Sequence, residues 1–145
     1  MRLRTFLTVK TMLHRTSLIV DDEPSVRGYI ITVLQGDGFQ TIEAENGVHA
    51  LELLNKHDGA VDLLVSDIKM PVMDGITLAW SVLVEFPSIP VILVSGYADI
   101  AQAKLPHTGF EFVQIPFHPA TLLSAAKRVM GPKNSTSRPS ECEGI

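Results

Sequence analysis

The chain has 145 residues, of which 46% are hydrophobic and 19% are charged, as in globular rather than disordered proteins. Its net charge is −4, although residues 1–15 contain Arg2, Arg4, Lys10 and Arg15 and no acidic residue. The acidic remainder argues against direct nucleic-acid binding, and no apolar run approaches the roughly 18 residues that a membrane span requires.

Three segments are expected from this distribution. Residues 1–15 form a basic N-terminal extension that lacks the uninterrupted apolar core of a signal peptide. Residues 16–131 form one folded domain, and residues 132–145 form a disordered polar tail. The single cysteine, Cys142, cannot form an intramolecular disulfide, which fits a cytoplasmic location.

Short apolar runs alternate with helix-spaced apolar residues along the chain. In chain order, the pattern predicts strands over residues 17–20, 39–44, 63–66, 91–94 and 110–115, with helices beginning near Pro24, Asn46, Asp74 and Pro119 and a less regular helix over residues 99–105. The third of these helices is expected to bury Ile76, Ala79, Leu83 and Phe86. Strands that are apolar throughout are typical of a parallel sheet covered on both faces. We therefore predict an α/β fold with a doubly wound, five-stranded parallel sheet of order 2-1-3-4-5, as in flavodoxin.

Three aspartates follow two of the predicted strands. Asp21 and Asp22 end the first strand and Asp67 ends the third. In a sheet of this order the two strand ends flank the point where the strand order reverses, so the three carboxylates are expected to converge there. Because like charges repel, the group favours a hard divalent cation, and Mg²⁺ is the natural candidate.

The motifs around these aspartates resemble the receiver domain of bacterial response regulators over residues 16–131. The resemblance rests on these pairs, in chain order: Asp21-Asp22, Asp67 with Met70-Pro71 and Asp74-Gly75, Ser95-Gly96, and Pro116-Phe117. It implies that Asp67 accepts a phosphoryl group from a sensor histidine kinase or a histidine phosphotransfer protein.

The same resemblance assigns roles to other residues. It implies that Asp22 and Asp67 ligate Mg²⁺ directly, that Asp21 acts largely through water, and that the backbone carbonyl of Lys69 is a further ligand. Ser95 is expected to donate its hydroxyl to the phosphoryl group. Phe112 matches the position of an aromatic residue that switches conformation in this family.

Ile115 departs from the family pattern, because receivers usually have a lysine immediately before the proline that is Pro116 here. Isoleucine supplies neither a charge nor a hydrogen bond to a phosphoryl group. Two readings follow: phosphorylation persists with weak coupling to conformation, or the domain is a phosphorylation-independent interaction module. The ammonium group of Lys69, two residues past Asp67, is an alternative cation.

The expected output is binding to a downstream protein or onward transfer of the phosphoryl group to a phosphotransfer protein. The polar tail is too short to bind DNA as a folded unit, so the signal is expected to pass through the face formed by residues 99–105, the fifth strand and the last helix. The chain is thus expected to be a signalling domain, not an enzyme. An aspartyl phosphatase of similar fold would need an acid where Lys69 stands.

Overall fold

A computed structural model of the protein describes residues 15–96 and 110–131, where five parallel strands form one sheet with helices on both faces. The strands are β1 (Arg15–Val20), β2 (Phe39–Ala44), β3 (Leu63–Asp67), β4 (Val91–Ser95) and β5 (Glu111–Gln114). The helices are α1 (Pro24–Gly36), α2 (Gly47–Lys56), α3 (Gly75–Glu85) and α4 (Pro119–Met130). The strand order, β2-β1-β3-β4-β5, confirms the predicted fold class.

The strand bounds differ slightly from the sequence-based ones. Arg15, which we grouped with the basic extension, is the first residue of β1 and pairs with Phe39 of β2. The predicted helix over residues 99–105 lies outside the described part of the chain, as do residues 1–14 and 132–145. Within residues 15–96 and 110–131, every helix is too short or too polar to cross a membrane.

Two apolar layers sandwich the sheet. Side chains of successive strand residues point to opposite faces, so each strand contributes to both layers. On one face Leu18 and Leu64 pack with α2 and α3. On the other face Ile19 and Val65 pack with α1 and α4. This double burial explains why the central strands are apolar at nearly every position.

Side-chain caps fix the starts of two helices. The Oδ1 atom of Asn46 accepts a hydrogen bond from the backbone N–H of His49 at 2.8 Å, and Oδ1 of Asp74 accepts one from Thr77 at 2.8 Å. Each cap contributes about 1 kcal/mol. Both predicted caps are confirmed, and they place the helix starts beside the carboxyl ends of β2 and β3.

The predicted inward face of α3 was wrong in part. The buried side chains are Leu78, Ala79 and Val82, whereas Ile76, Leu83 and Phe86 are only partly buried. The helix is apolar around much of its circumference, so its sequence periodicity marks no single face strongly. Packing against the sheet selects the face instead.

Candidate functional site

Asp21, Asp22 and Asp67 meet at the carboxyl edge of the sheet. Val20 and Ser66, the residues just before Asp21 and Asp67, are register partners in β1 and β3. Each aspartate offers a carboxylate oxygen that lies within 4.8 Å of those of the other two. The convergence predicted from the strand order is therefore present, with Asp21 buried, Asp67 partly buried and Asp22 exposed.

Asp21 is the most enclosed of the three, with 1% of its surface exposed. Its backbone N–H donates to the carbonyl of Ala44 at 3.2 Å, and its Oδ1 accepts from the N–H of Glu23 at 2.9 Å. Its Oδ2 is buried and has no hydrogen-bond partner in the described part of the chain. Burial is the main cause that raises the pKa of the Asp21 carboxyl, and the neighbouring Asp22 adds to it.

Asp67 is held by the backbone that follows it. Its Oδ1 accepts a hydrogen bond from the N–H of Ile68 at 2.8 Å. Burial raises the pKa of Asp67 to about 6, with the charge of Asp21 the next contribution, while the N–H groups of Ile68 and Lys69 lower it. The carboxylate is therefore fixed in place and electrostatically unfavourable in its ionised form.

The donor set fits a hard divalent cation. Mg²⁺ prefers oxygen ligands, and each aspartate supplies a carboxylate oxygen to the same small volume. The buried, unpartnered Oδ2 of Asp21 is the observation that tests the fit, because a buried carboxylate oxygen is costly unless something compensates it. A cation bound here would compensate that oxygen and remove the repulsion.

The loop after Asp67 packs tightly against the site. The N–H of Gly75 donates to the carbonyl of Ile68 at 2.8 Å. A Cβ atom at Gly75 would clash with the backbone carbonyl of Asp67, so only glycine allows this close approach. Earlier in the loop, Val72 has a positive φ of 74°, which is strained for a β-branched residue.

The β4–β5 side of the edge is chemically different. Ser95, the last residue of β4, is 3% exposed, and its carbonyl accepts from the N–H of Ile115 at 2.8 Å. Ile115 is partly buried and packs on the apolar layer that contains α1 and α4. With Val26, Tyr29 and Phe117 it lines a cavity of about 380 Å³.

Phe112 belongs to the opposite layer. It is partly buried and packs against the cluster that contains α2 and α3. The Ile115–Pro116 peptide bond is cis. The predicted switch residue Phe112 and the departure from the family pattern, Ile115, thus pack in different layers.

Sequence reasoning missed Arg27, whose Nη1 donates to the backbone carbonyl of Asp21 at 2.5 Å. The side chain also forms an ion pair with Glu43 of β2, with Nε and Oε1 2.8 Å apart. No spacing rule marks an arginine on the first helix as a partner of a strand-end carbonyl. The available signal was the position of Arg27 on the first turn after Pro24, beside the aspartates.

Comparisons with known proteins agree with this geometry. Residues 17–127 match the family described as the response regulator receiver domain. The chain is 41% identical over 117 residues to the sensor kinase CckA of Brucella abortus, an alignment covering 79% of this chain. It spans only 12% of that kinase's length.

Two further proteins are similar to the chain, one by sequence and one by its solved structure. Sporulation initiation phosphotransferase F of Bacillus subtilis is 35% identical over 89 residues, which cover 61% of this chain and 70% of that protein. The response regulator protein TrrA of Thermotoga maritima, solved in complex with Mg²⁺–BeF, superposes with a TM-score of 0.70 at 29% identity. That superposition covers 79% of this chain and 98% of TrrA.

Proposed function

The chain belongs to the response regulator receiver domain family of two-component signalling, and on that premise we propose that it is a phosphoacceptor with Asp67 as the acceptor. The convergence of three carboxylates within 4.8 Å carries this proposal. The proposed receiver unit spans residues 16–131, which include the residues that match the family.

Asp67 acts as the nucleophile. An oxygen of its carboxylate forms a bond to the phosphorus of a phosphohistidine, the phosphorus–nitrogen bond breaks, and its electron pair stays on the imidazole nitrogen. The hydrogen bond from Ile68 holds the carboxylate in a fixed position for the attack. With a pKa of about 6, Asp67 is mostly ionised at neutral pH, the state that the attack requires.

Asp22, Asp67 and the backbone carbonyl of Lys69 would hold Mg²⁺, with Asp21 acting largely through water. When bound, the ion supplies positive charge opposite the charge that develops on the transferred group. The protein's own contribution is positional. Hydrogen bonds at Asp21 and Asp67 fix two carboxylates before any ligand arrives, so little reorganisation is needed on phosphorylation.

The proposed read-out uses Ser95 and Phe112. The hydroxyl of Ser95 donates to a phosphoryl oxygen, and Phe112 then changes its packing. Ile115 supplies no cation to this group, and a charge-assisted hydrogen bond contributes roughly 1.5–3 kcal/mol. We therefore expect phosphorylation to be chemically competent but weakly coupled to the conformation of β5.

The direct test uses acetyl phosphate and Mg²⁺. Intact-protein mass spectrometry should show one added phosphoryl group on the wild type, none after chelation of Mg²⁺, and none on Asp67→Asn. Asp74→Asn is the matched control, because Asp74 lies in the same loop and asparagine caps a helix equally well. Equal labelling of the wild type and Asp67→Asn would refute the proposal.

The proposed partners follow from the family. A sensor histidine kinase or histidine phosphotransfer protein supplies the phosphoryl group, and a downstream protein binds a face that includes β5 and α4. We place this exchange in the cytoplasm. The domain acts on its own aspartate, so its role is signalling and not turnover of an external substrate.

Ile115 supports a second candidate, a phosphorylation-independent interaction module. Its side chain packs against the apolar cluster that contains Ile19 and Val94 and lines a cavity, so this position contributes to packing instead of charge. Beryllofluoride, which mimics an aspartyl phosphate, separates the two functions. Absence of binding at millimolar Mg²⁺ would favour the interaction module, whereas Mg²⁺-dependent binding would favour the phosphoacceptor.

A further inference from the structure

Arg27 connects three elements next to the carboxylates. It lies in the first turn of α1, and only 18% of its side chain is exposed. Its Nε donates to Oε1 of Glu43 on β2 at 2.8 Å. Its Nη1 donates to the carbonyl of Asp21, just past the end of β1, at 2.5 Å. One guanidinium group thus joins the start of α1, the end of β1 and β2.

The carbonyl that Arg27 contacts belongs to the peptide unit between Asp21 and Asp22. That unit is planar, so fixing its oxygen fixes the relative orientation of the two α-carbons. The backbone N–H of Asp21 is held by Ala44 and its Oδ1 by Glu23. With Arg27 on the carbonyl, the atom left without a hydrogen-bond partner in the described chain is the buried Oδ2.

We propose that Arg27 is a positioning residue for the divalent-cation site: by anchoring the Asp21–Asp22 peptide unit it directs both carboxylates toward Asp67. The inference rests on the proposed function, since it assumes that the three aspartates bind a cation. It concerns a residue that touches neither the cation nor the phosphoryl group. Its contribution is to hold repelling carboxylates in one geometry before the ligand binds.

The charge of Arg27 acts in the opposite direction. As a cation, the guanidinium repels Mg²⁺ and so opposes its binding to the nearby carboxylates. If charge were its only effect, removing it would tighten Mg²⁺ binding. If anchoring dominates, removing it weakens binding. The two accounts therefore predict opposite signs for the same substitution.

A second arginine–glutamate pair provides the matched control. Arg128 of α4 donates through Nε and Nη2 to Oε2 of Glu111 on β5, at 3.1 and 2.6 Å. This pair also joins a helix to a strand, but the Arg128 side chain is 58% exposed and no Mg²⁺ ligand is among its acceptors here. Arg128→Gln removes the same chemistry away from the site.

The experiment is an NMR titration of the full chain with Mg²⁺, read at the amides of Ser66 and Asp67. Arg27→Gln should raise the dissociation constant about tenfold. Arg27→Lys keeps the charge but loses the two-pronged geometry, and should raise it about threefold. Arg128→Gln should stay within about twofold of the wild type. Urea unfolding with a chelator present measures the stability of each metal-free variant, so a loss of stability can be distinguished from a loss of Mg²⁺ affinity.

Unchanged or tighter Mg²⁺ binding in a folded Arg27→Gln would overturn the inference while leaving the proposed function intact. If that variant does not fold, Arg27→Lys decides, and wild-type affinity in it would overturn the inference. Absence of Mg²⁺ binding by the wild type itself would instead refute both the inference and the proposed cation site.

Discussion

The carboxyl edge of the sheet has two halves that differ in chemistry. The acceptor half, at the ends of β1 and β3, holds Asp21, Asp22 and Asp67 in a partly buried group. The read-out half, at the ends of β4 and β5, holds a buried Ser95 and an Ile115 that packs into an apolar layer. If the chain has the proposed function, accepting a phosphoryl group and responding to it would depend on separate residues.

Different forces hold the two halves. In the acceptor half, backbone hydrogen bonds restrain carboxylates that repel each other, so its stability depends on pH and on cations. In the read-out half, apolar burial dominates, and it responds to neither. Substitutions that alter one of these forces at a time therefore test whether the two halves are independent.

The largest effect is expected from Gly75→Ala. A Cβ atom there would collide with the backbone carbonyl of Asp67, and because backbone cannot rotate away as a side chain does, we expect a loss of about 3 kcal/mol in the free energy of unfolding. Gly28→Ala on α1 is the control, since a Cβ atom there contacts nothing within 4 Å. It should stabilise the protein by up to about 1 kcal/mol. Urea denaturation of both variants checks the contrast, and equal stability would contradict the tight packing of the acceptor half.

A smaller effect with a defined pH dependence is expected from Asp67→Asn. The folded-state pKa of Asp67 is about 6, above its ordinary value of 3.8. Ionisation therefore costs the folded state free energy, and this cost is absent below the lower value and complete above the higher one. In the absence of Mg²⁺, the asparagine variant should be more stable than the wild type by about 2 kcal/mol at neutral pH, after allowing for solvent screening.

The difference in stability between the wild type and Asp67→Asn should depend on pH and on Mg²⁺. Near pH 4 the difference in unfolding free energy should almost vanish, and saturating Mg²⁺ should make the wild type the more stable protein. Chemical denaturation at both pH values, with and without a chelator, measures this. A wild type that is more stable than Asp67→Asn at neutral pH without Mg²⁺ would contradict the repulsion assigned to the acceptor half.

The smallest effect is expected from Val72→Asn, in the loop after Asp67. Val72 is 78% exposed and has a φ of 74°, and asparagine tolerates that conformation better than a β-branched residue. We expect a gain of about 1 kcal/mol in unfolding free energy. Val84→Asn on α3 is the control, because Val84 is equally exposed at 77% but lies in a helix.

The control should lose a few tenths of a kcal/mol or show no change. Mg²⁺ affinity should stay the same in both variants, since neither side chain is a candidate ligand. Thermal unfolding and the Mg²⁺ titration together distinguish loop strain from the chemistry of the site. Equal effects at positions 72 and 84 would show that the backbone conformation of Val72 carries no strain.

The sequence predicted the acceptor half better than its supports. Apolar runs that stop at aspartates locate Asp21 and Asp67. The alternation of strands and helices predicts the sheet order, and that order brings the two aspartates together. The contact from Arg27 to the carbonyl of Asp21 was missed, since it depends on a side-chain conformation that no spacing encodes. The inward face of α3 was misassigned because apolar residues surround that helix.

In the read-out half, the sequence identified the unusual residue but not its contacts. Position 115 was recognised as a departure, but its packing with the α1 and α4 layer required the structure. The roles of Ser95 and Phe112 remain predictions. Sequence identifies which residue is missing, whereas the consequence depends on what the replacement touches.

Beryllofluoride titration at millimolar Mg²⁺, followed by NMR, tests the separation of the two halves most directly. The wild type should bind, with shifts at Asp67 and small shifts at Phe112 and Gln114. Ile115→Lys should bind about tenfold more tightly and spread the shifts into β5, while the uncharged control Ile115→Met should resemble the wild type. Equal affinity and equal β5 shifts in the wild type and Ile115→Lys would contradict the separation.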